Sequence, residues 1–326
     1  MIERITELLN QYNILNGKER LLPITTGAGG AYVFSVEDKY VVKYKYLPEV
    51  DFITHENSRK EFEFYKIFSN KNIDFIPEIV FQMANDEEIL IVMKKYSPVK
   101  IEEWNDNLQK QAIEICARIN AIDISGFSGV FQRSGKFKDE VAKIVGYTSN
   151  GTPLYKKDYP LSLSYQLWKN LQEKFPEHID ASLLREMYEN FDEMDSYAKT
   201  LAIPKTLCHG DWHPENCLKN GDKLLACDWE GVCIGKGIDS VMFFIYRGES
   251  MGININKNKL IEEYCGALLK YANIKVDLND FHKHNAASSF RGSFSLGAKD
   301  IQNADIDSVL NSYNAMTHDY RLLLGH

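Results

Sequence analysis

This sequence predicts an α+β fold: a small, mostly antiparallel sheet with one main helix, followed by a larger, mostly helical part. Three observations predict it. Runs rich in Val, Tyr, Ile and Phe alternate with turn residues before Lys94, the apolar period lengthens to that of helices after it, and Pro98 breaks the chain between the two patterns. The N-terminal stretch MIERITELLNQYNIL scatters Glu3, Arg4 and Glu7 among its apolar residues, which predicts an amphipathic helix and not a signal peptide. LLPITT, AYVFSV and KYVVKYKY predict three strands, with a hairpin turn at Glu37-Asp38-Lys39 and the glycine-rich TTGAGG between the first two. HENSRKEFEFYKIFSNKNIDF predicts a helix with Phe62 and Tyr65 on its apolar side, and PEIVFQM and EEILIVM predict two more strands around the turn ANDEE.

In the helical part, Leu184, Met187, Phe191, Met194, Ala198 and Leu201 recur at spacings of three and four and predict one long core-facing helix. Residues 257–272 and 306–324 predict further amphipathic helices, and SSFRGSFSLGAKD a loop or helix junction. Two short strands interrupt this part, KTLC and KLLACDW.

Composition narrows the function. The chain has 326 residues, 44% of them hydrophobic and 26% charged, enough to bury a core without disulfide or metal staples. No apolar run approaches the roughly 18 residues of a membrane span, so no membrane partner is expected. Six cysteines without a close CxxC pair predict reduced thiols and a cytoplasmic setting. A net charge of −8, with no basic cluster interleaved with aromatics, argues against nucleic acid and is compatible with a cationic small substrate. No oligomeric state is read from the sequence.

The chemistry concentrates in LCHGDWHPENCL, Leu207 to Leu218. Cys208, His209, His213 and Cys217 suggest zinc, but only the two histidines meet the usual ligand spacing, and buried thiols beside a loop are the better reading. His209-Gly210-Asp211 followed after four residues by Asn216 is a more specific pattern, H-x-D-x-x-x-x-N, and LLACDWE then brings Asp228 to the tip of a strand. Phosphoryl transfer requires this combination: a carboxylate to take the proton of the attacking hydroxyl, and oxygen ligands for a magnesium ion on the transferred phosphate. Upstream, Gly27, Gly29 and Gly30 offer backbone amides to phosphates, Lys43 follows Val41-Val42 on the third strand, and Glu56, Glu61 and Glu63 are candidate partners for that lysine.

CHGDWHPENCL followed by ACDWEG resembles the HGDxxxxN and DWE signatures of the aminoglycoside phosphotransferase and choline kinase family, from the glycine turn to about Asp239. The resemblance implies a bilobal, protein-kinase-like fold, with a nucleotide-binding lobe at 1–93, a hinge at 94–98 and a catalytic and acceptor-binding lobe at 99–326. It implies ATP or GTP with Mg2+, and transfer of the terminal phosphoryl group to a hydroxyl of a small polar acceptor. Aminoglycosides, choline or ethanolamine, sugars and homoserine-type metabolites are the acceptor classes; a nucleotide-binding member without activity is the alternative. Residue by residue, it makes Asp211 the base, Asn216 and Asp228 the metal ligands and Lys43 the phosphate-binding lysine. KEFEFYKIF selects Glu61 as the partner of Lys43, and Met93, Lys95 and Tyr96 fall on the segment that meets the adenine. His209 and Asp239 would support the catalytic loop, while Trp212, Trp229 and Glu230 are candidates to line or charge the acceptor site. Two departures stand out: Ala31 and Tyr32 replace the Ser or Asn frequent in the glycine turn, and GKG replaces the GDP phrase before Asp239.

Overall fold

The computed structural model describes residues 1–15, 19–24, 30–71, 73–136, 161–294 and 304–325. The chain forms two compact units, residues 1–133 with 205–274 and residues 134–204 with 275–326. The predicted nucleotide lobe, the hinge segment and the catalytic strands all lie within the first unit, so this division runs along a different line from the lobes named above.

The first unit begins with helix α1 (Ile2–Gln11), then β1 (Leu21–Pro23), β2 (Tyr32–Val36) and β3 (Tyr40–Tyr46). Helix α2 (Phe52–Phe68) precedes β4 (Ile79–Ala84) and β5 (Glu88–Lys94), and the five strands pair antiparallel in the order β1-β2-β3-β5-β4. Strand β3 is therefore central, and its period-two alternation divides its side chains between two faces. Val42 and Tyr44 join Val36, Leu90 and Val92 in a core closed by Ile5, Leu8 and Leu9 of α1. Lys43 and Lys45 take the other face, toward Glu61 of α2 and Glu230.

Helix α2 starts where Asp51 caps the Thr54 amide at 2.9 Å and buries Glu61, Phe64, Tyr65 and Phe68. Its fully buried aromatics are Phe64, Tyr65 and Phe68, with Phe62 only half-buried, because the inward face runs through 61, 64, 65 and 68. After β6 (Ser97–Pro98) comes helix α3 (Asp106–Asn120), capped by Asn105. Strands β7 (Lys205–Cys208), β8 (Cys217–Asn220), β9 (Lys223–Ala226) and β10 (Cys233–Lys236) form two small sheets, β10-β7 and β6-β8-β9. β6, β8 and β10 have no expectation from the sequence, being too short to show a period. Helices Gly237–Ser250 and Lys257–Ala272 complete this unit.

The second unit is helical. Trp168, Met187, Phe290, Val309, Met316 and Tyr320 lie at its core. The single long helix expected across Leu184 to Leu201 is two, Ala181–Glu189 and Phe191–Thr200, broken at Asn190. Asn190 turns its amide to the Tyr320 hydroxyl (2.8 Å), which in turn donates to Glu186 (2.9 Å). The stretch Ser288 to Asp300, expected as a loop or helix junction, begins as the end of helix Leu278–Gly292, and its residues 295–300 lie outside the described ones. The last helix, Ile306–Leu324, coincides with its predicted limits. Among the described residues, no helix is long and apolar enough to cross a membrane.

Candidate active site

The site is built on three consecutive pieces of backbone: the loop leaving β7, the 3-10 turn Pro214–Asn216, and the 3-10 turn Trp229–Gly231 after β9. The first and third touch at their glycines. Gly210 has φ +83°, and a Cβ placed there would lie 1.8 Å from the Gly231 carbonyl oxygen; one on Gly231 would lie 2.9 Å from Gly210 C. Only two glycines allow so close an approach, and it fixes the loop of Asp211 against that of Asp228.

Beneath the contact lies an aromatic stack. Trp229 is fully buried, its ring 3.7 Å from Phe64 and nearly parallel to it, and its indole N–H donates to the Ala226 carbonyl at 2.9 Å. Trp212 is equally buried, so both tryptophans pack the interior and neither lines an acceptor surface. His209 lies beside both rings, 5.3 Å from Trp212 and 4.5 Å from Trp229. Its Nε2–H donates to the Cys227 carbonyl at 2.9 Å, while Nδ1 is buried with no hydrogen-bond partner. Burial lowers its pKa to about 4, so the ring is neutral at pH 7 and serves as a brace between the two loops.

Asn120, at the end of α3, braces the same loop from behind. Its amide donates to the Leu207 carbonyl (2.7 Å) and accepts from the Tyr264 hydroxyl (2.8 Å). Nothing in the sequence marked this residue. Asp239, expected to support the loop, lies exposed in the first turn of Gly237–Ser250.

Asp211 and Asn216 come together as their spacing predicts. The Asn216 amide donates to the Asp211 carbonyl (2.8 Å) and, more weakly, to Oδ2 (3.4 Å). His213 Nε2 lies 3.5 Å from the same Oδ2, with its Nδ1 3.5 Å from Glu215. The His213 hydrogen bond, opposed by burial, lowers the Asp211 pKa, and the half-exposed carboxylate is ionised at neutral pH. His213 thus orients the carboxylate; its position two residues after Asp211 was the only hint.

Lys43, Glu61 and Asp228 also converge. The Lys43 ammonium lies 2.7 Å from Glu61, 2.8 Å from Asp228 and 2.8 Å from Glu230. Burial disfavours this ammonium, but the three carboxylates outweigh it and raise its pKa well above that of an ordinary lysine. Burial would likewise raise Asp228, yet Lys43 prevails and lowers it. For Glu61 burial wins, and the pKa rises to about 7. Glu56 and Glu63 pair instead with Lys60 and Lys66 on their own helix. Glu230 is occupied by Lys43 and Lys45, which removes it from the role of attracting an acceptor. Asp228 adopts φ 61° and ψ 68°, left-handed backbone that is uncommon outside glycine.

Among the described residues, one group of carboxylates, Glu61, Asp228 and Glu230, has oxygens close enough together to hold a metal ion, all within 4.8 Å. No three of Cys208, His209, His213 and Cys217 form such a group, and both cysteines are buried free thiols. Of the remaining expected residues, Gly30 takes φ +66° after β1, while Gly27 and Gly29 lie outside the described residues. Met93 is buried at the end of β5. Lys95 reaches back to the β2–β3 turn, bonding the Glu37 carbonyl (2.8 Å) and Asp38 (2.9 Å), and the Tyr96 hydroxyl accepts from the Glu78 amide at 3.5 Å.

Residues 21–236 match the family model described as the phosphotransferase enzyme family. No curated protein matches the chain by sequence. Among solved structures, the gentamicin complex of APH(2")-IIa is 17% identical, with 99% of this chain and 96% of that one covered and a TM-score of 0.53. Choline kinase LicA from Streptococcus pneumoniae is 12% identical over 98% and 99% of the two chains, with a TM-score of 0.54. Amicoumacin kinase hAmiN, in complex with AMP-PNP, Ca2+ and Ami, is 12% identical over 97% and 93%, with a TM-score of 0.53. These likenesses show a shared kinase-like fold.

Proposed function

Because the chain belongs to the phosphotransferase enzyme family, we propose that it transfers the terminal phosphoryl group of ATP or GTP to a hydroxyl of a small, cationic polar acceptor such as an aminoglycoside or an amino alcohol. The observation that carries this reading is the Lys43 ammonium, held at 2.7 Å by Glu61 and at 2.8 Å by Asp228. A lysine gathered into the site by these carboxylates places a positive charge where a phosphate can draw on it.

Asp211 is the residue we assign as base. Its lowered pKa keeps it ready to accept a proton, and Asn216 and His213 fix the carboxylate so that an acceptor hydroxyl meets it in one orientation. His209, neutral and buried, moves no proton and keeps the loop in place. Lys43 binds and orients the phosphates, and Glu61 holds Lys43. Gly27, Gly29 and Gly30 are assigned to the turn over the phosphates, and Met93, Lys95 and Tyr96 to the adenine side. Asn216 and Asp228 would hold magnesium. Their donors are oxygen, which suits that ion, and among the described residues Asp228 belongs to the one carboxylate group, with Glu61 and Glu230, whose oxygens gather within 4.8 Å. When bound, magnesium neutralises charge on the transferred phosphate.

The acceptor class rests on the net charge of −8 and on the acceptors of the structural neighbours, gentamicin and choline among them. The test is a nucleotide-consumption screen with ATP and with GTP across aminoglycosides, choline and ethanolamine, sugars and homoserine-type amino alcohols. At least one acceptor is expected to drive turnover that falls by about 10²–10⁴-fold in Asp211→Asn. Nucleotide binding without transfer to any acceptor would sink the assignment of Asp211 and favour a binding module; no nucleotide binding at all would sink the reading itself.

A further inference from the structure

The charge cluster on β3 extends past Lys43. Lys45, two residues on and on the same face of the strand, places its ammonium 2.7 Å from Glu230 Oε1, the oxygen that also lies 2.8 Å from Lys43. The two lysines thus share one carboxylate oxygen, but their surroundings differ. The Lys45 side chain is 3% exposed and the Lys43 side chain 14%. Lys45 is close enough to Asp228 to favour its charged form. An ammonium buried as deeply as that of Lys45 is costly without a carboxylate beside it, so it is the fixed counter-ion of the group. Lys43, nearer the solvent and bound to three carboxylates, has the ammonium that a phosphate can draw away.

We propose that Lys45 is a positioning residue of the phosphoryl-transfer site: it holds Glu230 through the shared oxygen, so that Lys43 can turn to a nucleotide phosphate without leaving Glu230 uncompensated. This rests on the phosphotransferase reading above. The cluster contains Lys43 and Lys45 against Glu61, Asp228 and Glu230, two positive groups against three negative. Removing Lys45 alone leaves one against three. Glu230 then depends wholly on Lys43, and the field at the site becomes more negative. These two consequences have opposite signs for the two ligands: an anionic nucleotide is repelled, and a divalent cation is attracted. One unit charge at roughly 6 Å, after solvent screening, changes a binding constant by about tenfold.

The experiment uses the full chain and two probes, a fluorescent ATP analogue titrated in EDTA and Mn2+ titrated without nucleotide by electron paramagnetic resonance. Lys45→Met is expected to weaken metal-free nucleotide binding by about tenfold and to tighten Mn2+ binding several-fold, whereas Lys45→Arg keeps both within about threefold of wild type. A purely structural role would weaken both ligands together, and that result, or a Lys45→Met protein indistinguishable from wild type, overturns the proposal. The double variant Lys45→Met/Glu230→Gln removes both charges together. It is expected to bind the nucleotide within about threefold of wild type, and a tenfold loss there also overturns the proposal, even if Lys45→Met does not fold. A wild-type protein that binds neither probe overturns the phosphotransferase reading itself, a result distinct from wild-type binding that Lys45→Met leaves unchanged.

Discussion

His209 should make the fold more stable at pH 7 than at pH 5. Its only polar contact described here is the Nε2–H donated to Cys227, and a proton added to the buried Nδ1 would find no acceptor. The folded pKa is about 4 against 6.5 for an ordinary histidine. The unfolded chain therefore takes the proton first on acidification. The stabilisation is complete above 6.5 and is lost as the pH falls from 6.5 toward 4. At about 1.36 kcal/mol per pH unit this amounts to about 3 kcal/mol in full, of which about 2 kcal/mol disappears between pH 7 and pH 5. Glu61 works in the opposite direction. Its pKa is raised from 4.5 to about 7, so the stability it contributes is present at low pH and lost as the pH rises through that window. The wild-type curve alone would mix the two effects. The proper measurement is the difference between wild type and His209→Gln, in which the amide retains a donor for Cys227 and Glu61 is common to both. Urea midpoints at pH 5, 6 and 7 should show the stability difference shifting by about 2 kcal/mol against the wild type on acidification. Parallel profiles for the two proteins would refute the argument.

Gly210→Ala should lower stability by more than about 3 kcal/mol, since it adds left-handed strain to a Cβ placed 1.8 Å from the Gly231 carbonyl oxygen; urea denaturation measures it. Asn120→Ala takes a partner from both the Leu207 carbonyl and the Tyr264 hydroxyl, and a loss of about 2–4 kcal/mol is expected in the same assay.

Much of the site was legible because its chemistry is written in short spacings. Asp211 and Asn216 are five residues apart and meet directly, and the helix phrase around Glu61 pointed to the carboxylate that meets Lys43. The β-strands before Lys94 were legible for a similar reason, since hairpins join neighbours in sequence. What was not legible depends on distant segments. Asn120 braces a strand 87 residues away, a contact with no local signature. A slip of two between Lys43 and Lys45 preserves the strand face, so alternation alone leaves either as the phosphate lysine; the fold brings both to Glu230. The reading of Leu184 to Leu201 as one helix failed because the apolar period continues through Asn190, whose preference for Tyr320 ends the first helix. Trp212 and Trp229 were candidates for an acceptor surface because tryptophans beside a reactive loop suggest one, yet their area is more valuable beneath the loop than on it.

The left-handed backbone of Asp228 bears on how such a protein would lose its activity. A residue with a Cβ pays roughly 1–2 kcal/mol for that conformation, a cost that aspartate and asparagine lessen and only glycine avoids. Stability alone therefore pulls this position away from aspartate, and the Lys43 ion pair and the work of the site hold it there. In a lineage released from selection for phosphoryl transfer, position 228 should be among the first to drift, toward glycine, with the surrounding fold left intact.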